Sequence, residues 1–156
     1  MDNEFYTVRG YELRNYNEKI ITPAMEDYVE MIYRHSLKED YIRINQLSKL
    51  LNVSNSSASK MVQKLSSFNL IDYEKYGIIT LTEKGKKLGI FLLKRHNIIE
   101  EFLLFLNPND DVLLQTELIE HIIADETVKN IDILNNFFKF NNDVLDKYNE
   151  FKLKSK

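Results

Sequence analysis

Two carboxylates and an imidazole stand close together in the second half of the chain, at Glu117, Glu120 and His121. On a helix, positions i, i+3 and i+4 share one face, so these three side chains would point the same way. Carboxylate oxygens and imidazole nitrogens are ligands for divalent transition metals. A second acidic pair, Asp27 and Glu30, has the i, i+3 spacing near the start of the chain. The spacing predicts a metal site.

His96 is a further candidate ligand, on a third predicted helix between these two groups. The chain has no cysteine, which excludes disulfides, cysteine nucleophiles and thiolate metal sites. A set of nitrogen and oxygen ligands suits harder ions such as Mn²⁺ or Fe²⁺. Each residue alone also has a plainer interpretation. Asp27 and Glu30 could stabilise a helix N-terminus, and His96 could be a cation at a helix C-terminus. Glu117 and Glu120 could simply belong to a solvated helix face.

Charge is distributed unevenly along the 156 residues. The net charge is −3, but residues 41–96 carry +7 and the remainder −10. A basic segment inside an acidic chain is typical of a nucleic-acid-binding module, although a solvated basic face is the alternative. No apolar run approaches the roughly 18 residues of a membrane helix, and the N-terminus lacks a basic signal sequence. We therefore expect a cytoplasmic protein with no membrane partner.

The hydrophobic pattern of the basic segment predicts a winged helix-turn-helix. Thr22 and Pro23 start a helix that runs to about His35, and two short helices follow at residues 44–51 and 55–65. Residues 70–81 have the pattern of a β-hairpin, which would form the wing. The second short helix carries small polar and basic side chains, as a recognition helix does. The residues expected to contact DNA are Ser54, Ser56, Ser57 and Lys60 in the groove, with Lys64, Lys75 and Tyr76 on the backbone.

The rest of the chain reads as helical. A long helix is predicted from Thr82 to about Leu106, and three more at residues 111–124, 127–140 and 141–154. The apolar run at residues 102–106 exceeds what one helix of a small monomer needs, which predicts dimerisation. The expected fold is mainly α, with an N-terminal winged helix-turn-helix (three helices plus a β-hairpin wing) joined by a long helix to an all-α dimerisation domain. The expected divisions are an N-terminal extension (1–21), the DNA-binding domain (22–93) and a helical metal-binding and dimerisation domain (94–156).

Several motifs together resemble the diphtheria-toxin-repressor family of metal-dependent transcriptional regulators, and within it the manganese-responsive branch. They lie at residues 22–30, 60–65, 73–76, 81–87 and 95–96, in the order of that family. The resemblance covers residues 22 to about 140. It implies a homodimeric repressor, not an enzyme, that binds a palindromic operator and turns off manganese uptake genes when Mn(II) is plentiful. No small organic substrate is implied.

The resemblance also implies the ligand set. Carried over position by position, the metal ligands are Asp27, Glu30, His96, Glu117, Glu120 and His121. It implies two Mn(II) ions per subunit, with Fe(II), Co(II), Zn(II) or Cd(II) as possible substitutes. The iron-responsive branch has methionine at the position of Asp27 and cysteine at that of Glu117, and carboxylates there make the site harder.

Two other functions remain open, and a third lacks a motif that it would need. An iron(II)-responsive repressor of the same family is one, and a winged-helix regulator that senses a non-metal ligand is another. A di-metal enzyme would need a second Glu-x-x-His motif, which this sequence lacks. Residues 1–21 precede the family's usual start and are rich in aromatics, so we expect them to pack on the folded protein. The lack of the SH3-like domain found in the iron branch agrees with manganese.

Overall fold

Residues 21–74, 77–108 and 111–155 are described by the structure, a computed structural model. Their elements, in chain order, are α1 (Pro23–Ser36), β1 (Ile42–Arg43), α2 (Ile44–Leu50), α3 (Asn55–Ser67), β2 (Ile71–Tyr73), β3 (Ile78–Leu81), α4 (Glu83–Leu106), α5 (Leu113–Ile119), α6 (Asp125–Phe140) and α7 (Asn142–Lys154). The chain divides into two compact units between Leu92 and Leu93, inside α4. Among the described helices, none has the length and hydropathy that crossing a membrane requires. The predicted N-terminal extension lies outside the described residues, apart from residue 21.

The first three helices form as their sequence signals predict. Pro23 occupies the first turn of α1, and the carbonyl of Thr22 accepts the N–H groups of Met25 and Glu26. Ser54 caps α3, its Oγ accepting the N–H of Ser57 at 3.1 Å. The turn between α2 and α3 passes through Asn52, whose φ of 53° is in the left-handed region. The helix-turn-helix is therefore confirmed.

The predicted wing is also present, within a slightly larger sheet. β2 and β3 pair antiparallel, with Ile71 opposite Leu81 and Tyr73 opposite Ile79. β1 pairs along the other edge of β3, placing Ile42 opposite Ile79, which the sequence analysis did not predict. The helices and the sheet enclose one apolar core in this unit, whose fully buried members include Met25, Val29, Leu47, Val62, Leu65, Leu70 and Leu92.

The long helix α4 begins and ends where it was predicted to. Its cap is Thr82, whose Oγ1 accepts the N–H of Gly85 at 3.0 Å and donates to the carbonyl of Asn69 at 2.8 Å. Gly85 is required by a close approach, because a Cβ there would lie 1.9 Å from the carbonyl oxygen of Leu70. The cap and this contact attach the start of α4 to the segment before β2.

The helix predicted at residues 111–124 is wrong in its length. α5 ends at Ile119, and the N–H groups of Ile122 and Ile123 both bond to the carbonyl of Ile119, which closes a turn. Three β-branched isoleucines within five residues lower helix propensity there, and the turn leads into α6. Glu120 and His121 therefore lie in the turn and not within a helix. The predicted start of the next helix, Thr127, is two residues later than the observed start at Asp125.

The C-terminal unit has its own small core and a large exposed apolar surface. The core consists of Ile98, Ile99, Leu103, Val112 and Val128 with their partly buried neighbours. The run at residues 102–106, predicted to serve dimerisation, contributes one of these buried residues and one exposed residue, Leu104. The most exposed apolar side chains near α5 are Leu114, Leu118 and Ile122, at 67 to 71%.

Candidate metal centre

Four of the six predicted metal ligands lie together in the C-terminal unit. His96 is on α4, Glu117 on α5, and Glu120 and His121 directly after α5. Nδ1 of His96 lies 2.8 Å from Oε2 of Glu120 and 3.7 Å from Oε1 of Glu117. The second oxygen of Glu120, Oε1, lies 3.7 Å from Nε2 of His121. Glu120 therefore presents one carboxylate oxygen to each histidine.

This group has a buried base and a more exposed edge. The side chains of His96 and Glu120 are 2% and 1% exposed, whereas that of Glu117 is 47% exposed. A carboxylate is rarely buried to this extent without a partner, because moving an unpaired ion out of water costs on the order of several kcal/mol. The partial exposure of Glu117 gives solvent access to one side of the group.

The ligand chemistry of the group fits a divalent metal of intermediate to hard character. All four side chains offer nitrogen or oxygen donors, and none of the four offers sulfur. In this group the carboxylate oxygens lie 2.8 to 3.7 Å from the imidazole nitrogens. The residues present therefore suit Mn²⁺ or Fe²⁺ better than a soft ion.

Arg95 lies beside the group and was not among the predicted site residues. It is 5% exposed, and its Nη2 lies 3.4 Å from Nδ1 of His121. A guanidinium only donates hydrogen bonds, so Nδ1 of His121 must be the accepting nitrogen in this arrangement. The neutral ring then carries its proton on Nε2, the atom that faces Glu120.

Asp27 and Glu30 lie on α1 in the N-terminal unit. Their i, i+3 spacing puts both carboxylates on one side of the helix, with Asp27 partly exposed and Glu30 buried. The two residues therefore lie on one helix, as the spacing predicted. They belong to the N-terminal unit, and the other four candidates belong to the C-terminal unit.

Glu30 has a cationic neighbour that the sequence analysis missed. Arg34, one turn later on α1, donates to Oε1 of Glu30 from both Nε, at 2.9 Å, and Nη2, at 2.6 Å. The signal that could have found it is the i, i+4 spacing of an acid before a base on a helix.

The predicted DNA-contacting residues on α3 are exposed. Ser56, Lys60 and Lys64 are open to solvent, while the hydroxyls of Ser54 and Ser57 lie 2.9 Å apart in the cap of the helix. Gln63 is exposed as well and was not counted among the candidates. Lys75 and Tyr76, predicted at the tip of the wing, lie outside the described residues. The exposed side of α3 is thus polar and basic.

Both halves of the chain match the sequence models of one protein family. Residues 21–79 match "Iron dependent repressor, N-terminal DNA binding domain". Residues 82–148 match "Iron dependent repressor, metal binding and dimerisation domain". The two matches include all six candidate ligands, with Asp27 and Glu30 in the first and the other four in the second.

Individual relatives agree with these matches. The chain is 43% identical over 119 residues to the HTH-type transcriptional regulator MntR of Oceanobacillus iheyensis, covering 76% of this chain and 81% of the relative. It is 39% identical to the regulator of the same name from Geobacillus thermodenitrificans, covering 84% of that protein. Among solved structures, the manganese regulator SloR is 32% identical with a TM-score of 0.65, and the match covers 75% of this chain. A manganese-dependent transcriptional repressor in complex with manganese is 27% identical with a TM-score of 0.61, covering 72% of this chain. The chain spans slightly more than half the length of these two solved proteins.

Proposed function

The chain belongs to the iron-dependent repressor family of metal-dependent, DNA-binding transcriptional regulators, and on this basis we propose that it responds to manganese. In this proposal it represses manganese uptake genes when Mn(II) is plentiful, acting in the cytoplasm on operator DNA. The two relatives that are 43% and 39% identical to this chain carry the name of a manganese-type regulator, which supports manganese over iron.

The observation that carries the proposal is the position of Glu120 between two histidines. One oxygen lies 2.8 Å from His96 and the other 3.7 Å from His121, in a group without sulfur. The metal affinity of such a site follows the Irving–Williams order, in which Mn²⁺ is weak and Zn²⁺ strong. Selectivity for Mn²⁺ would therefore come from ligand number and geometry. The iron branch has methionine and cysteine at the positions of Asp27 and Glu117. Carboxylates at these positions favour a harder ion than those sulfur ligands do.

The proposed ligand set draws on both units of the chain. Asp27 and Glu30 come from the DNA-binding unit, and His96, Glu117, Glu120 and His121 come from the other. We assign Glu30 and His96 to one ion and Asp27 and His121 to a second, with Glu117 and Glu120 shared. Bound Mn(II) would neutralise carboxylates that otherwise repel one another. Ligands from two units would couple metal occupancy to the arrangement of the DNA-binding unit, and by reciprocity operator DNA would raise metal affinity.

The proposed DNA target is a palindromic operator bound by a homodimer. The C-terminal half matches a dimerisation domain, and a two-fold dimer presents two copies of α3. Two recognition helices reach successive major grooves when they are roughly one DNA turn apart, about 34–36 Å. Ser56, Lys60 and Lys64 on the exposed side of α3 are the contacts we assign first.

Selection from a random duplex library tests the DNA part of the proposal. The full chain is incubated with the library in Mn²⁺, Fe²⁺, Co²⁺ or Zn²⁺, or with chelator, and the bound duplexes are sequenced. We expect a two-fold symmetric sequence to be enriched with Mn²⁺ and lost with chelator. Enrichment only with Fe²⁺ would favour the iron-responsive alternative, and equal enrichment with chelator would favour a regulator of non-metal ligands.

Glu117→Cys tests the basis of metal choice. A thiolate in place of this carboxylate should weaken Mn²⁺ binding and strengthen Zn²⁺ or Co²⁺ binding, because sulfur is a softer ligand. Glu101→Cys, a cysteine at a partly exposed glutamate that is not a predicted ligand, is the control. Calorimetric titration with each metal measures the change. Unaltered relative affinities would remove Glu117 from the ligand set.

A further inference from the structure

A salt bridge on α1 involves one of the proposed ligands. Nε and Nη2 of Arg34 donate to Oε1 of Glu30 at 2.9 and 2.6 Å, and Arg34 follows Glu30 by one helical turn. Both bonds end on the same oxygen of Glu30, Oε1. Such charge-assisted bonds are stronger than neutral ones.

The two partners differ in their freedom to move. The side chain of Glu30 is 8% exposed, whereas that of Arg34 is 36% exposed. The carboxylate is therefore held inside the protein, while the long, flexible side chain of Arg34 is partly exposed to water. Of the two, Arg34 is the one that can leave the pair without moving the helix.

We propose that Arg34 is a built-in counter-ion of Glu30 that competes with the metal for this carboxylate and so sets a higher metal concentration for activation. The inference rests on the proposed function, in which Glu30 is a metal ligand. If Arg34 stays when metal binds, its positive charge repels the cation across one carboxylate. If it leaves, the salt bridge is lost. Both routes lower metal affinity, so the sign of the effect does not depend on which one is taken.

A different role for Arg34 would have the opposite sign. Residues that orient a ligating carboxylate by hydrogen bonding raise metal affinity, and their removal weakens binding by about 10- to 100-fold. Removal of a competitor strengthens binding. The direction of one affinity change therefore separates the two roles.

The experiment measures Mn²⁺ affinity of the full chain from the electron paramagnetic resonance signal of free Mn²⁺. Arg34→Met removes the charge and the hydrogen bonds at similar length, and Arg34→Lys keeps the charge. Lys38→Met is the matched control, since Lys38 is an exposed cation just after α1. We expect Arg34→Met to bind Mn²⁺ roughly two- to fivefold more tightly than the wild type, the fold-change that corresponds to the energy of partly exposed ion pairs. Arg34→Lys should lie close to the wild type, and Lys38→Met should be unchanged.

A second measurement does not depend on metal. Without metal, Arg34→Met should melt at a lower temperature than the wild type, because the buried Glu30 loses a counter-ion. In a Glu30→Gln background the same change should have little effect. Unchanged or weaker Mn²⁺ binding by Arg34→Met, with normal binding by the wild type, overturns this inference alone. Absence of Mn²⁺ binding by the wild type overturns the proposed function and the inference with it.

Discussion

Nδ1 of His96 lies 2.8 Å from Oε2 of Glu120, although the two residues are 24 positions apart in the sequence. Both side chains are almost completely buried, so this contact joins the middle of α4 to the end of α5 inside the C-terminal unit. Two buried polar groups at this distance stabilise each other, and each is a metal ligand by type. The pair is the fixed part of the proposed metal centre.

The first prediction concerns this pair. His96→Ala removes one proposed ligand and leaves Glu120 buried without its closest partner. We expect Mn²⁺ affinity to fall at least tenfold, since even residues that only orient ligands cost about that much. His35→Ala is the matched control, a histidine of the other unit that is not a proposed ligand. Calorimetric titration measures both, and equal losses for the two variants would contradict the assignment.

The second prediction concerns α3. Lys60→Gln should weaken operator binding by about 1–3 kcal/mol if Lys60 reaches base edges, with the loss differing between sequences. Lys64→Gln should weaken binding to all duplexes alike. It should also reduce the slope of log affinity against log salt concentration by about 1, as expected for a phosphate contact. Fluorescence anisotropy at several salt concentrations separates the two effects. Lys87 is an exposed lysine on α4, and Lys87→Gln should change neither the operator affinity nor its salt dependence. If Lys87→Gln lost as much operator affinity as Lys60→Gln, α3 would not be the recognition helix.

The third prediction concerns the exposed apolar side chains near α5. Leu118 is 67% exposed, Leu114 and Ile122 are 71% and 70% exposed, and all three lie in the half that matches a dimerisation domain. Leu118→Glu should shift the dimer toward monomer in sedimentation equilibrium, because a charge would be buried at the interface. Leu37→Glu, at a similarly exposed leucine of the N-terminal unit, should leave the dimer intact. A dimer unaffected by Leu118→Glu would place the interface on another surface of that unit.

The fourth prediction concerns Gly85. Alanine usually stabilises a helix by roughly 0.5–1 kcal/mol relative to glycine. At this position the added Cβ would lie 1.9 Å from the carbonyl oxygen of Leu70, so the backbone must shift. We expect Gly85→Ala to lower the free energy of unfolding by about 1–3 kcal/mol, as overpacking does. Urea denaturation measures it, with Lys87→Ala on the same helix as the control. A Gly85→Ala variant as stable as the wild type would show that this contact relaxes at no cost.

The parts of the fold that the sequence predicted well are those with local signals. Thr82 was predicted to start α4, and the observed cap uses its hydroxyl, which accepts the N–H of Gly85. Pro23 marked α1 in the same way. β1 was missed because two residues have no periodicity, and they form a strand only through pairing with β3. The early end of α5 was missed because the apolar positions continue at helical spacing through the turn.

The candidate site was predicted from ligand types, i, i+3 spacing and family resemblance, none of which contains distances. That Glu120 lies between His96 and His121 depends on the packing of α4 against the end of α5, which no local pattern encodes. Arg34 could have been found from its spacing to Glu30, but a charge pair on a helix has the same pattern whether it is solvated or beside a metal site.

The most direct test of the account compares operator binding by the full chain in Mn²⁺ and in chelator. The probe is a duplex with the selected palindrome, and the readout is fluorescence anisotropy at fixed ionic strength. We predict that Mn²⁺ raises operator affinity by about 5- to 150-fold, the usual range of coupling between two sites, and that Glu120→Gln removes most of this difference. Equal affinity with Mn²⁺ and with chelator, for a protein that is folded and dimeric in both, would contradict it.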